Sequence, residues 1–399
     1  MDIHAAFERA LLLDQQNDIA GAVACLDEVA HAIPESLEPL KFAGRLYQRL
    51  GADAQSYALL ARALALAPRD ADLHLSLGFH HVDNGAPEKA LIHFHEHLSV
   101  KPDSLDGQIY LGRTLDWLGR TEEALPALQR AVKLDAASIE ARLQLGRVQI
   151  RLGRFGAADQ NFASVLRLEP GNVIAEIGRR RIRALEDPQW KPKVHLPART
   201  VVCVKAGTKY GPEYANRLAA MVRRNASVPL RVVCFTDDPR GLDAGVEPQP
   251  LPAEGLHGWW NKVALFGETL PGVEGRVLYL DLDVVITGSI DPLLNMQGDF
   301  IVRDNDYVPG FTSSVMLFEV GARPEIWRTF TPETAQRIAG DQDWIALTAP
   351  DAELWPEPWC VMYRLRAAQT LPHDAKLVVF SGRPVPADLP APWVADYWK

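Results

Sequence analysis

Two consecutive segments, LEPLKFAGRLYQRLGADAQSYALLARALALAPRD (Leu37–Asp70) and ADLHLSLGFHHVDNGAPEKALIHFHEHLSVKPDS (Ala71–Ser104), align without a gap and decide the fold of the first half of the chain. The register continues at Leu105 and Ile139 and reaches back to Ile3, so the period is 34 residues. Self-similarity at a fixed period of this size is the signature of a repeat architecture, in which neighbouring units bury a shared core.

Glycine and proline occupy three columns of this alignment. The first glycine column lets two helices of a unit pack closely, and the second provides a left-handed turn between them. The proline column ends the second helix. The columns contain Gly44, Gly78, Gly112 and Gly146; Gly51, Gly85, Gly119 and Gly153; and Pro34, Pro68, Pro102 and Pro170, with Ala136 replacing proline once.

The pattern resembles the tetratricopeptide repeat over residues 3–185. The resemblance implies an all-α solenoid at residues 1–185, made of five 34-residue repeats and a capping helix at Val173–Leu185 with an arginine cluster on its outer face. Repeat one is degenerate, with Ala10 and Asn17 at the glycine columns, as terminal repeats often are.

The first helix of each repeat lines the concave groove of such a solenoid, which is a binding surface rather than a catalyst. Arginines among aromatic side chains suit an extended or acidic protein segment. The alternative is that these arginines are a solvated face and that Trp117 packs internally. The predicted partner-groove residues are Arg45, Arg49, Phe79, Arg113, Trp117, Arg147 and Arg151.

Length and composition exclude several classes of protein. A chain of 399 residues predicts more than one domain, and a formal net charge of −9 argues against a nucleic-acid partner. The N-terminal segment lacks the basic start and apolar core of a signal peptide, and no apolar run is long enough for a membrane span. Four cysteines without metal-ligand spacing (Cys25, Cys203, Cys234 and Cys360) indicate buried free thiols and a cytoplasmic protein.

A change of pattern follows the repeats. The segment 186–198 contains Pro188, Pro192 and Pro197 and is interpreted as a stiff linker. Residues 199–399 then alternate short apolar runs with helical stretches, which predicts an α/β domain with a largely parallel sheet. This domain needs nothing from the repeats to build its own site.

The apolar run VLYLDLDVVI (Val277–Ile286) contains two aspartates, Asp281 and Asp283. Two carboxylates on the same side of an extended chain repel each other unless they share a cation. Oxygen ligands suit Mn²⁺ or Mg²⁺, and such an ion would neutralise a diphosphate. The motif therefore predicts a metal–diphosphate site, and the alternative is a solvated turn after a strand.

The order of motifs in residues 199–399 resembles the GT-A fold of nucleotide-sugar glycosyltransferases, close to the family 8 type. The segments that carry this resemblance are CVKAGTKY (Cys203–Tyr210), CFTDD (Cys234–Asp238), GWWNKVALF (Gly258–Phe266), YLDLD (Tyr279–Asp283), SSVMLF (Ser313–Phe318), DQDWI (Asp341–Ile345) and VVFSGRPVP (Val378–Pro386). The resemblance implies a UDP- or GDP-linked sugar donor and a Mn²⁺ or Mg²⁺ ion held by Asp281 and Asp283.

Roles for further residues follow from the same resemblance. A catalytic role is implied for Asp341, Gln342 and Asp343, although this segment also reads as the start of a helix. Trp259 and Trp260 are interpreted as packing rather than stacking residues. The implied nucleotide-sugar contacts are Lys205, Gly207, Thr208, Tyr210, Asp237, Asp238, Lys262, Asp281, Ser313, Ser314 and Arg383.

The chain departs from the family pattern near its C-terminus. Ser381 stands where a metal-binding or phosphate-binding histidine is common, and Val385 stands where a lysine is common. The third metal ligand is then a water or His373, and Arg383 is the nearest phosphate partner.

Three functions remain open on the sequence alone. The first is a glycosyltransferase that acts on a protein acceptor recruited by the repeats. The second is a repeat scaffold with a catalytically degenerate transferase domain. The third is a haloacid-dehalogenase-like phosphatase, in which a DxD motif opens the domain; here two strand-like runs and a helix precede the motif.

Overall fold

The computed structural model describes residues 3–33, 35–186, 195–380, 385–388 and 392–399. Pro34, most of the proline-rich segment, Ser381 and Arg383 lie outside the described residues. The chain forms two compact units, Met1–Ala136 and Ala137–Lys399. The fifth repeat and the capping helix therefore belong to the same unit as the C-terminal residues. The domain boundaries inferred from the sequence, at residues 185 and 199, stay a prediction.

Eleven helices in the described part of the chain follow the repeat register. Within each pair, the second helix packs antiparallel on the first, as the 34-residue period predicts. The helices are α1 (Ile3–Gln15), α2 (Ile19–Asp27), α3 (Leu37–Arg49), α4 (Asp53–Leu66), α5 (Ala71–Asp83), α6 (Pro87–Val100), α7 (Leu105–Trp117), α8 (Thr121–Leu134), α9 (Ile139–Arg151), α10 (Phe155–Leu168) and α11 (Val173–Leu185).

The glycine columns have the two roles that the sequence predicts. A Cβ atom added to Gly78 would lie 2.4 Å from the ring of Phe94, so only glycine allows this helix pair to approach so closely. Gly85 adopts φ 66° in the turn that follows. Asn17 occupies the equivalent turn of the degenerate first repeat and keeps a left-handed φ of 60°, which asparagine tolerates better than most residues.

The C-terminal unit contains ten strands and six further helices among its described residues. The strands are β1 (Thr200–Lys205), β2 (Arg231–Thr236), β3 (Glu247–Gln249), β4 (Arg276–Leu280), β5 (Val285–Ile286), β6 (Phe300–Asp304), β7 (Phe311–Glu319), β8 (Glu353–Leu354), β9 (Cys360–Met362) and β10 (Leu377–Val379). The helices are α12 (Pro212–Asn225), α13 (Asp291–Asn295), α14 (Pro324–Arg328), α15 (Pro332–Arg337), α16 (Asp341–Thr348) and α17 (Pro392–Tyr397).

The larger sheet is mixed, with strand order β3-β2-β1-β4-β7-β6-β8. Strands β1, β2, β3 and β4 are parallel, and β7 runs antiparallel to both of its neighbours. A smaller sheet has the order β5-β10-β9. Chain order reverses between β1 and β4, and ligands of open α/β sheets bind at such a switch point, outside the carboxyl ends of the strands.

Both faces of the larger sheet are covered. Alternate residues of β1 face opposite sides, so Val201 joins the core that includes α12 while Val202 joins the core on the other face. This second core also includes Ile177 of α11, which is 1% exposed. The capping helix thus packs against the sheet, and none of the described helices is long and apolar enough to cross a membrane.

Candidate functional site

A cavity of about 490 Å³ opens at the carboxyl ends of β1 and β4. Five parts of the chain form its walls: the loop after β1, the turn after β4, Phe380 after β10, the segment from Gly258 to Lys262, and a region that combines β7 with the start of α16. We call the first the β1 side and the last the α16 side. The lining residues are Val204, Ala206, Lys209, Tyr210, Gly258, Trp259, Lys262, Tyr279, Asp281, Leu282, Asp283, Ser313, Ser314, Ala339, Gly340, Asp341, Gln342, Asp343 and Phe380.

The two aspartates of the DxD motif both reach this cavity, but not from an extended strand. Strand β4 ends at Leu280, and the amide of Val284 donates to the carbonyl of Asp281 at 3.2 Å, which closes a turn. The amide of Asp281 also donates to the carbonyl of Ser314 at 2.9 Å, so β7 fixes the start of the turn. The turn, rather than strand alternation, therefore brings both aspartates to the cavity.

Lys262 connects the two halves of the site. Its Nζ lies 2.8 and 2.9 Å from the two carboxylate oxygens of Asp281, and it donates to Ser313 Oγ at 3.2 Å. The carboxylate of Asp341 is 3.7 Å away. Burial lowers the pKa of Lys262, but the charges of Asp281 and Asp341 more than reverse this, so the pKa is raised and the lysine stays a cation.

The α16 side is held together by a buried hydroxyl. Ser313 Oγ donates to Asp341 Oδ2 at 2.5 Å, and both residues are about 5% exposed. The N-cap of α16 is Gly340, and Asp341 is the first helical residue. Asp341 is therefore not the N-cap, and its side chain faces the cavity. Burial raises its pKa, although Lys262 and Ser313 oppose the effect.

Asp283 contacts the β1 side of the cavity. Tyr210 donates its hydroxyl to Asp283 Oδ2 at 2.7 Å. Burial and the charge of Asp281 raise the pKa of Asp283 to about 6. A carboxylate whose ionised form is this unfavourable is one that gains from a bound cation.

Asp343 provides a pH-dependent prediction for the ligand-free protein. Burial, followed by the charge of Asp341, raises its pKa to about 6 from an ordinary value of 3.8. The folded state holds the proton more tightly than the unfolded state, so stability is greatest at low pH and falls as pH rises through 6. Asp343→Asn removes this loss, and we expect it to stabilise the C-terminal unit by about 2–3 kcal/mol at pH 8. Calorimetric melting at pH 8 and pH 5 checks this: the gain should shrink at pH 5, and an equal effect at both values would contradict it.

Residues predicted for the nucleotide lie partly beside the cavity rather than in it. Gly207 has φ 68°, and its amide donates to Asp237 Oδ2 at 2.8 Å. Lys205 Nζ donates to the carbonyl of Asp238 at 3.1 Å. The side chain of Asp238 pairs with Arg240, which holds the pKa of that carboxyl well below its usual range. These residues, with Thr208, are absent from the cavity lining, and Arg383 lies outside the described residues.

Tyr279, Lys209 and Trp259 are among the lining residues that had not been assigned to the site. Tyr279 donates its hydroxyl to Asp281 Oδ1 at 2.6 Å, and its position two residues earlier is the signal that could have revealed it. Lys209 lines the β1 side, next to Tyr210. Trp259 is 54% exposed at the cavity, so its interpretation as a packing residue is wrong, whereas Trp260 does pack, with its ring centroid 5.1 Å from that of Phe330.

The residues present suit a hard divalent cation of the kind held by one or two carboxylates and completed by phosphate and water oxygens. Asp281 and Asp283 offer oxygen donors, and the high pKa of Asp283 indicates a place for positive charge. Within the described residues, no group of three or more histidine, cysteine, aspartate or glutamate side chains is placed to share a metal. His373 is solvent-exposed beside Asp374 and does not line the cavity.

The predicted groove residues are found in different surroundings. In the first unit, Arg49 pairs with Asp14 at 2.6 Å, and the Arg113 guanidinium lies 5.0 Å from the ring centroid of Trp117, which is 2% exposed and packs internally. Arg45 lies 3.8 Å from Asp72, and Phe79 packs on Tyr110 with ring centroids 4.4 Å apart.

In the second unit, Arg147 is 3% exposed and donates to the carbonyl of Asn305 at 2.7 Å. Arg151 lies 3.8 Å from Asp304. This end of the predicted groove is therefore covered by the C-terminal unit itself.

A known protein family matches part of the repeats. The family described as Tetratricopeptide repeat matches residues 118–176, so this part of the chain is a tetratricopeptide-repeat region. No curated protein matches the chain.

Solved structures are similar to this chain over less than half of its length. The TPR protein YrrB, described as having an unusual peptide-binding site, is 25% identical, with 41% of this chain and 84% of that chain covered and a TM-score of 0.38. MamA from Desulfovibrio magneticus RS-1 is 21% identical, with 43% and 96% covered and a TM-score of 0.39. The type IV pilus biogenesis factor PilW is 18% identical, with 47% and 87% covered and a TM-score of 0.41.

Proposed function

We propose that the chain is a tetratricopeptide-repeat interaction protein whose C-terminal unit transfers a sugar from a nucleotide donor to a protein acceptor bound by the repeats. The repeat match at residues 118–176 and the glycine columns support the interaction role. A cytoplasmic location accords with four buried cysteines that are all free, including Cys203 and Cys234 in neighbouring strands.

The observation that carries the transferase proposal is the charge of the cavity. Four aspartates line it against two lysines, and one of these lysines is already engaged with Asp281. A diphosphate would be repelled from such a cavity unless a divalent cation entered with it. A metal–diphosphate pair at a switch point between parallel strands accounts for both the acidity and the location.

The residues of the site have different roles in the proposed reaction, according to where they lie in the cavity. A Mn²⁺ or Mg²⁺ ion held by Asp281 and Asp283 would supply charge neutralisation for the leaving diphosphate. Lys262 and Lys209 contribute fixed positive charge beside it. Asp341 and Gln342 lie on the α16 side, where a carboxylate and an amide stabilise positive charge that develops on the sugar.

Two other functions follow from different readings of the same residues. A scaffold with a degenerate transferase domain is favoured by the ion pair between Lys262 and Asp281, which partly satisfies the motif without a metal. A phosphatase of the haloacid-dehalogenase type is disfavoured, because β1, β2, β3 and α12 precede the DxD motif.

A calorimetric panel of nucleotide sugars with the full chain tests the proposal. UDP- and GDP-linked sugars are titrated with Mn²⁺ and with excess chelator. We expect one nucleotide class to bind with Mn²⁺ and to lose most of its affinity with chelator, and slow hydrolysis of that donor to follow. No binding by any donor would leave the scaffold function.

A further inference from the structure

Helix α16 extends from the cavity to the capping helix α11. Its first residues carry Asp341–Asp343 into the α16 side of the cavity. At its other end, Arg180 of α11 donates to the carbonyl of Leu347 at 2.9 Å. Arg181 donates to the carbonyl of Pro350 at 2.8 Å and also to that of Ala352. The last carbonyls of a helix lack partners within it, so these arginines satisfy the end of α16 and the segment after it.

Helix α9 contacts the connection between β6 and β7, and β7 carries Ser313 into the cavity. The connection between β6 and β7 contains Asn305 and Tyr307, and both of their carbonyls are bound by α9. Arg147 donates to the carbonyl of Asn305 at 2.7 Å, and Gln144 donates to that of Tyr307 at 2.7 Å. Strand β7 begins four residues after Tyr307 and carries Ser313 into the site.

Apolar packing connects the region that α11 contacts with the region that α9 contacts. Ile177 of α11 is 1% exposed in the sheet core, in the same cluster as Ala346 of α16. A Cβ atom on Gly310, just before β7, would lie 3.4 Å from Ile177 and 3.7 Å from Ala346. One apolar side chain of the capping helix thus contacts the region where α16 and β7 meet. Arg180 and Arg181, which belong to the arginine cluster predicted on the outer face of α11, bind carbonyls of the C-terminal residues.

The β1 side is built differently. Tyr210 bonds to Asp283, and Gly207 bonds to Asp237. The hydrogen bonds described above for α9 and α11 end on the connection before β7, on the last turn of α16 and on the segment after it. A disturbance of α9 or α11 should therefore move one side of the cavity and spare the other.

We propose that Arg180, Arg181, Gln144 and Arg147 are positioning residues for the α16 side of the cavity, so that the fifth repeat and the capping helix fix the geometry of that side. Charge-assisted hydrogen bonds to carbonyls fix geometry more strictly than apolar contact alone. The reaction itself rests on the proposed function, whereas the positioning is a property of the fold. Displacement of about 1 Å at a reacting group is enough to lower a rate about 100-fold.

The test uses the full chain with Arg180→Met and Arg181→Met combined, and Arg181→Lys as the conservative variant. Arg179→Met is the matched control, because Arg179 lies on the same helix but pairs with Asp159 of α10 at 2.6 Å. Measured quantities are the affinity for UDP or GDP with Mn²⁺, the kcat of donor hydrolysis, and amide hydrogen exchange.

In the double variant we expect kcat to fall about 10–100-fold while nucleotide affinity stays within twofold. Arg179→Met should match the wild type, and Arg181→Lys should retain most of the rate. Exchange should rise in Asp341–Thr348 and Phe311–Glu319 and remain unchanged in β1 and α12. Equal losses of nucleotide affinity and rate, or uniform loss of protection, would overturn the positioning role.

If the wild-type chain binds no nucleotide, the proposed function fails, and hydrogen exchange alone decides the positioning role. Selective deprotection of α16 and β7 supports it, and unchanged or uniform exchange overturns it.

Discussion

Asp283→Ala is expected to abolish Mn²⁺-dependent nucleotide binding while the protein remains folded. Removal of a residue that only orients a metal ligand lowers metal affinity about 10–100-fold, and removal of a direct ligand is expected to lower it at least as much. Since Asp283 is 6% exposed and lies beside Asp281, its removal also relieves repulsion. We therefore expect an equal or higher melting temperature without metal, so that lost binding cannot be ascribed to unfolding.

The measurement is a titration of UDP and GDP with Mn²⁺ into both proteins, with Tyr210→Phe as a second variant. That change removes the hydroxyl that donates to Asp283 but keeps the carboxylate, so affinity should fall less than in Asp283→Ala. Unchanged nucleotide affinity in Asp283→Ala would show that the aspartate pair holds no metal.

The combination of Asp341→Asn and Gln342→Ala is expected to lower kcat for donor hydrolysis and transfer by about 10²–10³, as removal of fixed electrostatic stabilisation does in other enzymes. Nucleotide affinity should persist, because these residues lie on the α16 side. Asn keeps an acceptor for Ser313 Oγ, so the local hydrogen bond survives while the charge is lost.

Single-turnover kinetics with and without acceptor separate the affected step from binding. Asp343→Asn is the comparison on the same helix, and its effect on kcat should differ from that of the double variant if the charge of Asp341 is the important one. Full turnover by the double variant would mean that this segment only begins a helix.

The repeats could be predicted almost completely because each column has a local cause. Gly78 and Gly85 are required by a close approach and by a positive φ, and both requirements recur every 34 residues. The capping helix was predicted at Val173–Leu185, and the structure has these bounds. The contacts of Arg180 and Arg181 with carbonyls around the end of α16 could not be predicted, since a helical period reveals a polar face without showing whether water or another part of the chain covers it.

The site could be predicted only where its residues follow a strand end. Asp281 and Asp283 can be identified because they are charged residues in an apolar run. Asp341 is identified only through the resemblance to GT-A glycosyltransferases. The contact of Lys262 with Asp281 depends on how the 3₁₀-helix Gly258–Phe266 packs near β4 and β7, which no local pattern encodes. Exposure of Trp259 next to a packed Trp260 is equally a consequence of tertiary structure.

The burial of Ile177 in the sheet core has a consequence for how this protein could be recombined. A graft that exchanges the repeat array at the proline-rich segment would remove Ile177 and leave a hole beside Ala346 and Gly310. Residues 199–399 alone would therefore lack one of the buried side chains of this core. A cassette exchanged at Ala136/Ala137 keeps α9–α11 with the sheet, so this is the junction at which the earlier repeats can be replaced without removing Ile177 from the core.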